Sequence, residues 1–421
     1  MAEIKTVQKN LYAQMRDAFG SLVSHMDAKY PERAWAYRPE FTHWAELASA
    51  EEDGKQIVWF NSGMSSEIFL AMDLLPHQIE SMLAGGGAFP EVNLTELIDI
   101  SHEYAPEYLC SGLEAAAGAL FSGRIPKPVA IVATTHPCDS MRAVTSLMSH
   151  YYDIPIYVVD APYWNTDNSY KFMAEQIKGM VDWLTDLTGN KLDKDKLVHV
   201  MNNSNEALKY QRLISNLRKQ KPCPTKGTEL LLDAAINAYI SGTDESVEYF
   251  KKRYEVAKAV ADKGVGAIPD EKHRLFCLYV PPMFAPGIFT WVEKEFGAIF
   301  VTDMMEYRPY DYIDTSDPER IYFDFAKKCS LLPMGHHFRG AGDDWMNYAL
   351  DVTKEYQIDG VVFFGAIACR NAWALAKLVK DKIEDKLGVP VLNLEVDPLD
   401  GRVVTEDVLK TKIKDFIDIR M

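Results

Sequence analysis

The most informative stretch of the chain covers residues 359–402 and reads DGVVFFGAIACRNAWALAKLVKDKIEDKLGVPVLNLEVDPLDGR. The apolar run at 361–364 is typical of a parallel strand that is covered on both faces. Apolar residues then recur at helical spacing after Cys369, and a second apolar run at 389–394 predicts the next strand of a βαβ unit. Cys369 therefore lies where a strand ends and a helix begins. In open α/β sheets this crevice binds ligands, and a helix N-terminus favours the thiolate form of a cysteine.

The same order of strand, cysteine, helix and strand occurs once more, earlier in the chain. A buried strand is predicted at 128–134, Cys138 follows in the segment THPCDS, and another strand is predicted at 156–159. Two such units in one chain predict an α/β protein with two doubly wound parallel-sheet domains, of the Rossmann or flavodoxin-like kind.

Three regions are predicted along the 421 residues, a length that favours two or three domains. Residues 1–190 are expected to form the first α/β domain with a helical N-terminal extension, and residues 271–421 the second. Residues 191–270 have helical, charged periodicity and predict a helical segment that joins the two domains.

The composition restricts the class of partner. The chain has 45 Lys and Arg against 61 Asp and Glu, a formal net charge of −16 that is spread along the sequence. This argues against nucleic acid and anionic membranes as partners. The first ten residues contain no apolar signal core, and no stretch approaches the roughly 18 apolar residues that span a bilayer. We therefore expect a cytoplasmic protein, and the lack of a Walker A pattern argues against ATP hydrolysis by this chain itself.

Six cysteines are available as metal ligands, and no CxxC motif occurs among them. Any metal site must therefore combine distant parts of the chain, unlike a zinc ribbon or a ferredoxin. Cys277 lies within an apolar strand and is expected to be a buried thiol without chemistry. A structural role is also favoured for Cys223 and Cys329, although their positions leave other roles open.

Cys110, Cys138 and Cys369 form the candidate metal site. The last two follow equivalent strands, and Cys110 lies in a loop just upstream, before the small-residue helix LEAAAGAL that can pack closely against a neighbour. Three thiolates can hold a 4Fe-4S cluster by three corners and leave the fourth iron open to water or substrate.

Other polar residues have competing interpretations. His136 could be a general acid or base. A buried histidine whose hydrogen bonds are made within the core fits the sequence about as well. Zinc binding by His336 and His337 together with Cys329 is disfavoured, because neighbouring histidines rarely face one ion. The turn DPLDGR at 397–402 predicts an internal ion-pair clamp.

The sequence resembles the 2-hydroxyacyl-CoA dehydratase and benzoyl-CoA reductase family, in the form of the 2-hydroxyglutaryl-CoA dehydratase D-component. The resemblance extends from about residue 55 to the C-terminus and rests on EYLCSGLEAAAG, THPCDS with DIPIYVVDAPYW, the KPCPTKG loop, and FFGAIACRNA with GVPVLNLEVDPLDGR. It implies that Cys110, Cys138 and Cys369 bind one 4Fe-4S cluster, and the chain length resembles that of the larger cluster-bearing subunit.

Two departures from the family pattern leave the substrate and the subtype open. Ser66 and Glu67 occupy the place where many relatives have Pro-Glu, and Cys223 lies in a loop that usually lacks cysteine.

The resemblance implies an enzyme that removes water from a 2-hydroxyacyl-CoA through a ketyl radical, formed by one-electron reduction of the thioester. It also implies a homologous second subunit with its own cluster and a separate ATP-dependent iron-sulfur activator protein. Three alternatives stay open: a subunit of an ATP-dependent benzoyl-CoA reductase, a double-cubane-cluster reductase, and a non-catalytic electron-relay subunit.

Ser62 lies in the loop at 61–67, which follows a first predicted strand at 55–60. Because this loop leaves its sheet at the same edge as the cysteines, Ser62 or a neighbour is expected to approach the iron that lacks a cysteine ligand. Its hydroxyl would then orient a bound water or the substrate hydroxyl. The alternative is that the loop only leads into a helix.

Overall fold

Two separate parallel sheets contain the strands of the computed structural model, which describes residues 10–81, 89 and 92–421. The strands are β1 (Ile57–Phe60), β2 (Leu75–Gln78), β3 (Ala130–Thr134), β4 (Ile156–Val159), β5 (His273–Leu278), β6 (Ala298–Asp303), β7 (Gly360–Ala366) and β8 (Val391–Val396). The first sheet has the order β2-β1-β3-β4, the second has the order β6-β5-β7-β8, and every pairing is parallel. In each sheet the chain adds one neighbour to its first strand and then crosses to the other side, which is the doubly wound order. The predicted α/β fold with two parallel-sheet domains is confirmed.

Helices surround both sheets and fill the chain between them. In the described residues they are α1 (Leu11–Lys29), α2 (Pro31–Ala34), α3 (Arg38–Ser49), α4 (Glu67–Ala71), α5 (Leu94–Ser101), α6 (Ser111–Phe121), α7 (Asp139–Tyr152), α8 (Asp167–Thr188), α9 (Lys194–Arg218), α10 (Thr228–Ile240), α11 (Asp244–Ala261), α12 (Gly287–Phe296), α13 (Pro318–Ser330), α14 (Gly335–Phe338), α15 (Gly342–Glu355), α16 (Arg370–Leu387) and α17 (Glu406–Arg420).

Both faces of the central strands β1, β3, β5 and β7 are largely buried, which explains the unbroken apolar runs of the sequence. Successive strand residues point to opposite faces, so Phe363 packs in the core on one side of the second sheet and Phe364 in the core on the other. All seven residues of β7 are buried. Cys277 lies in β5 with no exposed area, as predicted for a thiol without chemistry.

Strand β2 is not among the elements that the sequence predicts. Helix α4 covers only Glu67–Ala71, because the chain turns at Asp73, whose φ is +56°, and then forms β2. Pro76 pairs with Val58 on the outer edge of the sheet, where its missing N–H interrupts no ladder. A four-residue strand with a proline has too weak a pattern to be distinguished from a loop.

The chain between β4 and β5 forms α8 to α11, and the structure describes this stretch throughout without a strand. The helical character predicted for this region is therefore observed, whereas the boundaries at residues 190 and 270 stay predictions. Within the described residues, no helix is both long and apolar enough to cross a membrane.

Candidate functional site

One cavity of about 250 Å³ is lined by residues of both sheet domains, and all three candidate cysteines face it. Cys138 follows β3 and Cys369 follows β7, which occupy the same position in their sheets. Cys110 reaches the cavity from the loop before α6. The topology therefore brings together three thiols that are separated by up to 259 positions along the chain, since 369 − 110 = 259.

Each of these cysteines directly precedes a helix. The N-cap positions of α6, α7 and α16 are occupied by Cys110, Cys138 and Cys369, and none of these side chains forms a capping hydrogen bond. The first backbone amides of a helix have no partner within it and carry positive partial charge, so they favour an anion. Backbone amides near the three sulfurs act to lower the pKa values of the thiols; they belong to Gly112, Ser140, Met141, Asn371 and Ala372.

The cysteines are only partly exposed, and burial raises the pKa of each thiol above its ordinary value. Burial is the largest cause that raises the pKa of Cys138 to about 12. The charge of the nearby Cys369 adds a smaller increase. The raised pKa values keep the three cysteines as neutral thiols at neutral pH unless a positively charged group binds them. A bound metal supplies that charge and deprotonates a coordinating thiol outright.

Asn371 fixes the two sheet domains relative to each other at this cavity. Its side-chain amide donates to the carbonyl oxygen of Pro137 at 3.0 Å and to that of Phe338 at 3.1 Å. Pro137 precedes Cys138, whereas Asn371 lies two residues after Cys369. These hydrogen bonds fix the positions of Cys138 and Cys369 relative to each other. No sequence motif indicated them.

Tyr279 is a further residue at the cavity that sequence reasoning missed. It directly follows β5, is buried, and has a φ of +94°, which a bulky residue adopts rarely. Its hydroxyl lies within hydrogen-bonding reach of the Cys369 sulfur, and burial raises the pKa of that hydroxyl well above its usual value. An outlier of this kind at a ligand cavity points to a functional constraint.

Ser62 does not line the cavity of the three cysteines but an adjacent cavity of about 60 Å³. Its amide and hydroxyl both donate to the Glu80 carboxylate, at 3.1 and 2.7 Å. Burial raises the pKa of Glu80, whose charge in turn helps to raise the pKa of Cys138. Ser62 is therefore linked to the surroundings of Cys138 by its hydrogen bonds to Glu80. Its contact with an iron stays a prediction.

His136 is 2% exposed and lies outside the lining of the cysteine cavity. Its Nε2 is 3.3 Å from the Cys329 carbonyl oxygen, and burial lowers its pKa to about 3. Its ring fits so closely that a Cβ atom placed on Gly63 would lie 2.9 Å from it. This geometry favours the interpretation as a core histidine, and the acid-base role stays a prediction.

The other candidate cysteines, Cys223 and Cys329, are buried in the core, and their structural role stays a prediction. Cys223 is buried with its thiol near the Thr225 carbonyl oxygen, and the Cys329 sulfur is 3.7 Å from the Met64 sulfur. Across the part of the chain that the structure describes, no group of three or more His, Cys, Asp or Glu residues could hold a single metal ion. An iron-sulfur cluster differs because each cysteine binds a separate iron.

The clamp predicted at 397–402 is present in part. Arg402 donates to Asp400 and also to Asp99 of α5, so it joins the two domains. Asp397 instead accepts the amides of Leu399 and Asp400 and closes the turn.

The fold and the site define an α/β protein of two doubly wound sheets with a thiol-lined cavity where ligands bind in such folds. The family model for the 2-hydroxyglutaryl-CoA dehydratase D-component matches residues 61–419, and the chain belongs to this family. The expected membership is thereby confirmed.

Characterised relatives share about one residue in five with this chain. The (R)-phenyllactyl-CoA dehydratase alpha subunit of Clostridium sporogenes is 22% identical over 70% of this chain and 71% of its own length. One of the subunits of the benzoyl-CoA reductase of Thauera aromatica is 22% identical over 89% of this chain and 90% of its own length. The (R)-2-hydroxyglutaryl-CoA dehydratase alpha subunit of Acidaminococcus fermentans is 19% identical over 70% of this chain and 61% of its own length.

Proposed function

We propose that this chain is the iron-sulfur subunit of a 2-hydroxyacyl-CoA dehydratase. The observation that supports this most directly is the convergence of Cys110, Cys138 and Cys369, each at a helix N-terminus, on one cavity between the two domains. The donor set fits a 4Fe-4S cluster, because three cysteines that face one cavity can each bind one iron as the thiolate, and the bound metal offsets the cost of deprotonating a partly buried thiol. These three cysteines would hold the cluster by three irons.

The overall reaction converts a 2-hydroxyacyl-CoA into a 2-enoyl-CoA and water. The 2-hydroxyl group and a β-proton leave, and the electron that starts the reaction through a ketyl radical is returned at its end. A bound cluster supplies one low-potential electron and a Lewis-acidic iron.

The residues of the chain contribute orientation and protection from water. Tyr279 offers a hydroxyl donor to Cys369, and Asn371 keeps the two strand-end cysteines at a fixed separation. The Ser62–Glu80 pair would orient the substrate hydroxyl from the neighbouring cavity. Leu109 and Phe338 line the cysteine cavity with apolar surface, which keeps water away from a radical.

The proposed partners follow from the same function. They are an acyl-CoA thioester as substrate, a homologous cluster-bearing second subunit and an ATP-dependent iron-sulfur activator protein, all in the cytoplasm. Two of the relatives described above carry the name of alpha subunits, which supports the need for a second subunit.

The function is tested with the chain purified anaerobically together with its second subunit and activator. We expect ATP-dependent conversion of a 2-hydroxyacyl-CoA into the enoyl-CoA, followed by mass spectrometry. A complex that contains its cluster and converts none of a panel of aliphatic and aromatic 2-hydroxyacyl-CoA esters would contradict the proposal.

A benzoyl-CoA reductase subunit is the second candidate, because the reductase subunit from Thauera aromatica aligns with 89% of this chain. The same preparation distinguishes the two functions. Reduction of the ring of benzoyl-CoA without any dehydration would favour the reductase. A double-cubane reductase would instead contain about eight irons per chain, and an electron relay would carry out neither reaction.

A further inference from the structure

A cavity of about 300 Å³ lies at the end of strand β6, and the proposed reaction does not use it. Its lining comes from α9, from α15 and from the end of β6. Asp303, the last residue of β6, is 1% exposed and lies at the inner end of the cavity, whereas Asn216 and Asp351 are exposed at its mouth. Ligands bind at the carboxyl ends of parallel strands in such folds, so the cavity is placed like a binding site.

Two carboxylate oxygens in this lining are buried and have no hydrogen-bond partner among the described residues. Asp303 accepts the amide of Glu306 at 3.0 Å through Oδ1, and its Oδ2 is unpaired. Oε1 of Glu306 is unpaired as well, because Nη1 of Arg308 is 3.9 Å away, too far for a hydrogen bond. Buried polar groups almost always have partners, so these two oxygens require an explanation.

The positive charges at the mouth of the cavity are already engaged. Lys219 forms an ion pair with Glu355 at 2.6 Å. Arg212 donates to the Tyr310 carbonyl oxygen and lies 5.2 Å from the centre of the Tyr312 ring. These two cations are therefore held away from the inner end of the cavity.

Asp303 is a buried carboxyl group without a cation of its own. Arg218 and Arg308 lie 3.5 and 3.9 Å from the Glu306 carboxylate and offset its charge. Within the described part of the chain, Asp303 forms no ion pair. Burial and then the charge of Glu306 raise the pKa of Asp303 to about 8, although Arg218 and Arg308 act to lower it. The inner end of the cavity therefore lacks one positive charge.

A primary ammonium group matches this arrangement. It carries one positive charge and three N–H donors, so it can bond to both unpaired oxygens. An anion would be repelled by the carboxylates, and an apolar group would leave both oxygens buried without partners. Calcium is a poorer match, because it takes about six to eight oxygen ligands. The rings of Tyr307 and Tyr348 also line the cavity, and aromatic rings attract organic cations.

We propose that Asp303 and Glu306 bind the ammonium group of a small aliphatic primary amine in this cavity. Asp303 supplies the charge, and Oδ2 of Asp303 and Oε1 of Glu306 accept hydrogen bonds from the ammonium group. The volume of about 300 Å³ leaves room for a chain of a few carbon atoms. The site depends neither on the cluster nor on the dehydratase reaction.

The test is a calorimetric titration of the full chain with butylammonium chloride at constant ionic strength. It is carried out at about pH 9, where Asp303 is mostly ionised and an alkylammonium group, with a pKa of roughly 10.4, keeps its charge. Wild type should bind butylammonium saturably. Tetramethylammonium has the charge but no N–H donor, so it should bind at least about tenfold more weakly, and so should potassium.

Three variants locate the binding. Asp303→Asn keeps an acceptor for the Glu306 amide but loses the charge, so it should weaken butylammonium binding about tenfold or more. Glu306→Gln should weaken it as well, which keeps the test decisive if the first variant does not fold. Asp351→Asn is the matched control, because it makes the same change at the exposed mouth of the same cavity. Its affinity should stay within about twofold of wild type.

The absence of saturable binding by wild type would overturn the proposal. Equal affinity of wild type and Asp303→Asn would do so too, because the amine would then bind elsewhere. If tetramethylammonium or potassium bound as tightly as butylammonium, the assignment to a primary amine would be wrong. The iron content and the dehydratase assay measure the proposed function separately, so its failure and the failure of this inference are distinguishable.

Discussion

Tyr279 is held beside the cysteine cavity in a strained backbone conformation. A φ of +94° costs about 1–3 kcal/mol for a bulky residue, and such strain persists only where the surroundings determine it. Its ring packs against Phe338 and Phe363 at 5.7 and 6.0 Å between centroids. These contacts hold the hydroxyl toward Cys369.

Replacement of Tyr279 by Phe tests whether this hydroxyl tunes the site. The variant should fold and keep its iron, but the reduction potential should become more negative, because the reduced cluster carries extra negative charge that a donor near a ligating sulfur stabilises. The potential is measured by a redox titration followed by electron paramagnetic resonance. Tyr348→Phe is the control, since its hydroxyl bonds to Asp303. Equal potentials in wild type and Tyr279→Phe would remove Tyr279 from this role.

Glu40 predicts a pH dependence of stability that is independent of the site. It is 3% exposed, and burial raises its pKa from 4.5 to about 8. Between these values the unfolded chain has released the proton while the folded chain retains it. Its contribution to stability is therefore complete below pH 4.5 and is lost as the pH rises to about 8.

In Glu40→Gln this loss should disappear, so unfolding by urea should depend less on pH over that range. Glu46→Gln, on the exposed part of the same helix, should behave as wild type. An identical pH profile for Glu40→Gln and wild type would show that Glu40 titrates normally in the folded protein.

At the scale of secondary-structure elements, close packing of α5 and α6 positions the loop that carries Cys110. A Cβ atom on Gly118 of α6 would lie 1.8 Å from the Leu97 carbonyl oxygen of α5, so only glycine permits this approach. The small-residue helix predicted from the sequence therefore does pack closely against a neighbour.

Gly118→Ala should push α6 away from α5 and lower the free energy of unfolding by about 1–3 kcal/mol. Gly20→Ala in α1 is a matched control, because its nearest neighbour is the movable ring of Phe41 at 3.2 Å. Urea unfolding measures both. A Gly118→Ala variant as stable as Gly20→Ala would contradict the packing argument.

The elements that the sequence predicts well are those with unbroken apolar runs. β3 and β7, with Cys138 and Cys369 after them, were predictable because strands buried on both faces leave a continuous pattern. The strand β2 and the turn at Tyr279 leave no such pattern, since one contains a proline and the other depends on contacts with distant aromatic rings.

At the scale of the whole molecule, a buried ion pair joins segments that are far apart in the sequence. Glu67 of α4 bonds to Lys328 of α13 and to Ser204 of α9. Burial acts to raise the pKa of Glu67, but the charge and hydrogen bonds of Lys328 hold it below its ordinary value. The departure noted at Ser66 and Glu67 therefore lies at a junction of three regions.

Lys328→Met should cost about 3–5 kcal/mol, because it leaves the Glu67 carboxylate buried without its cation. The double variant Glu67→Gln with Lys328→Met should recover much of that loss, since a buried pair contributes little net stability. Lys414→Met, at an exposed pair, should leave the melting temperature unchanged. If the double variant were no more stable than Lys328→Met, the unpaired charge would not be the cause.

The iron content of the anaerobically reconstituted chain tests the central claim most directly. Wild type and Cys277→Ser should each contain about four irons per chain, whereas Cys110→Ser, Cys138→Ser and Cys369→Ser should each lose the cluster. A wild-type chain that stays free of iron, or a variant lacking all three cavity cysteines that still contains it, would contradict the account.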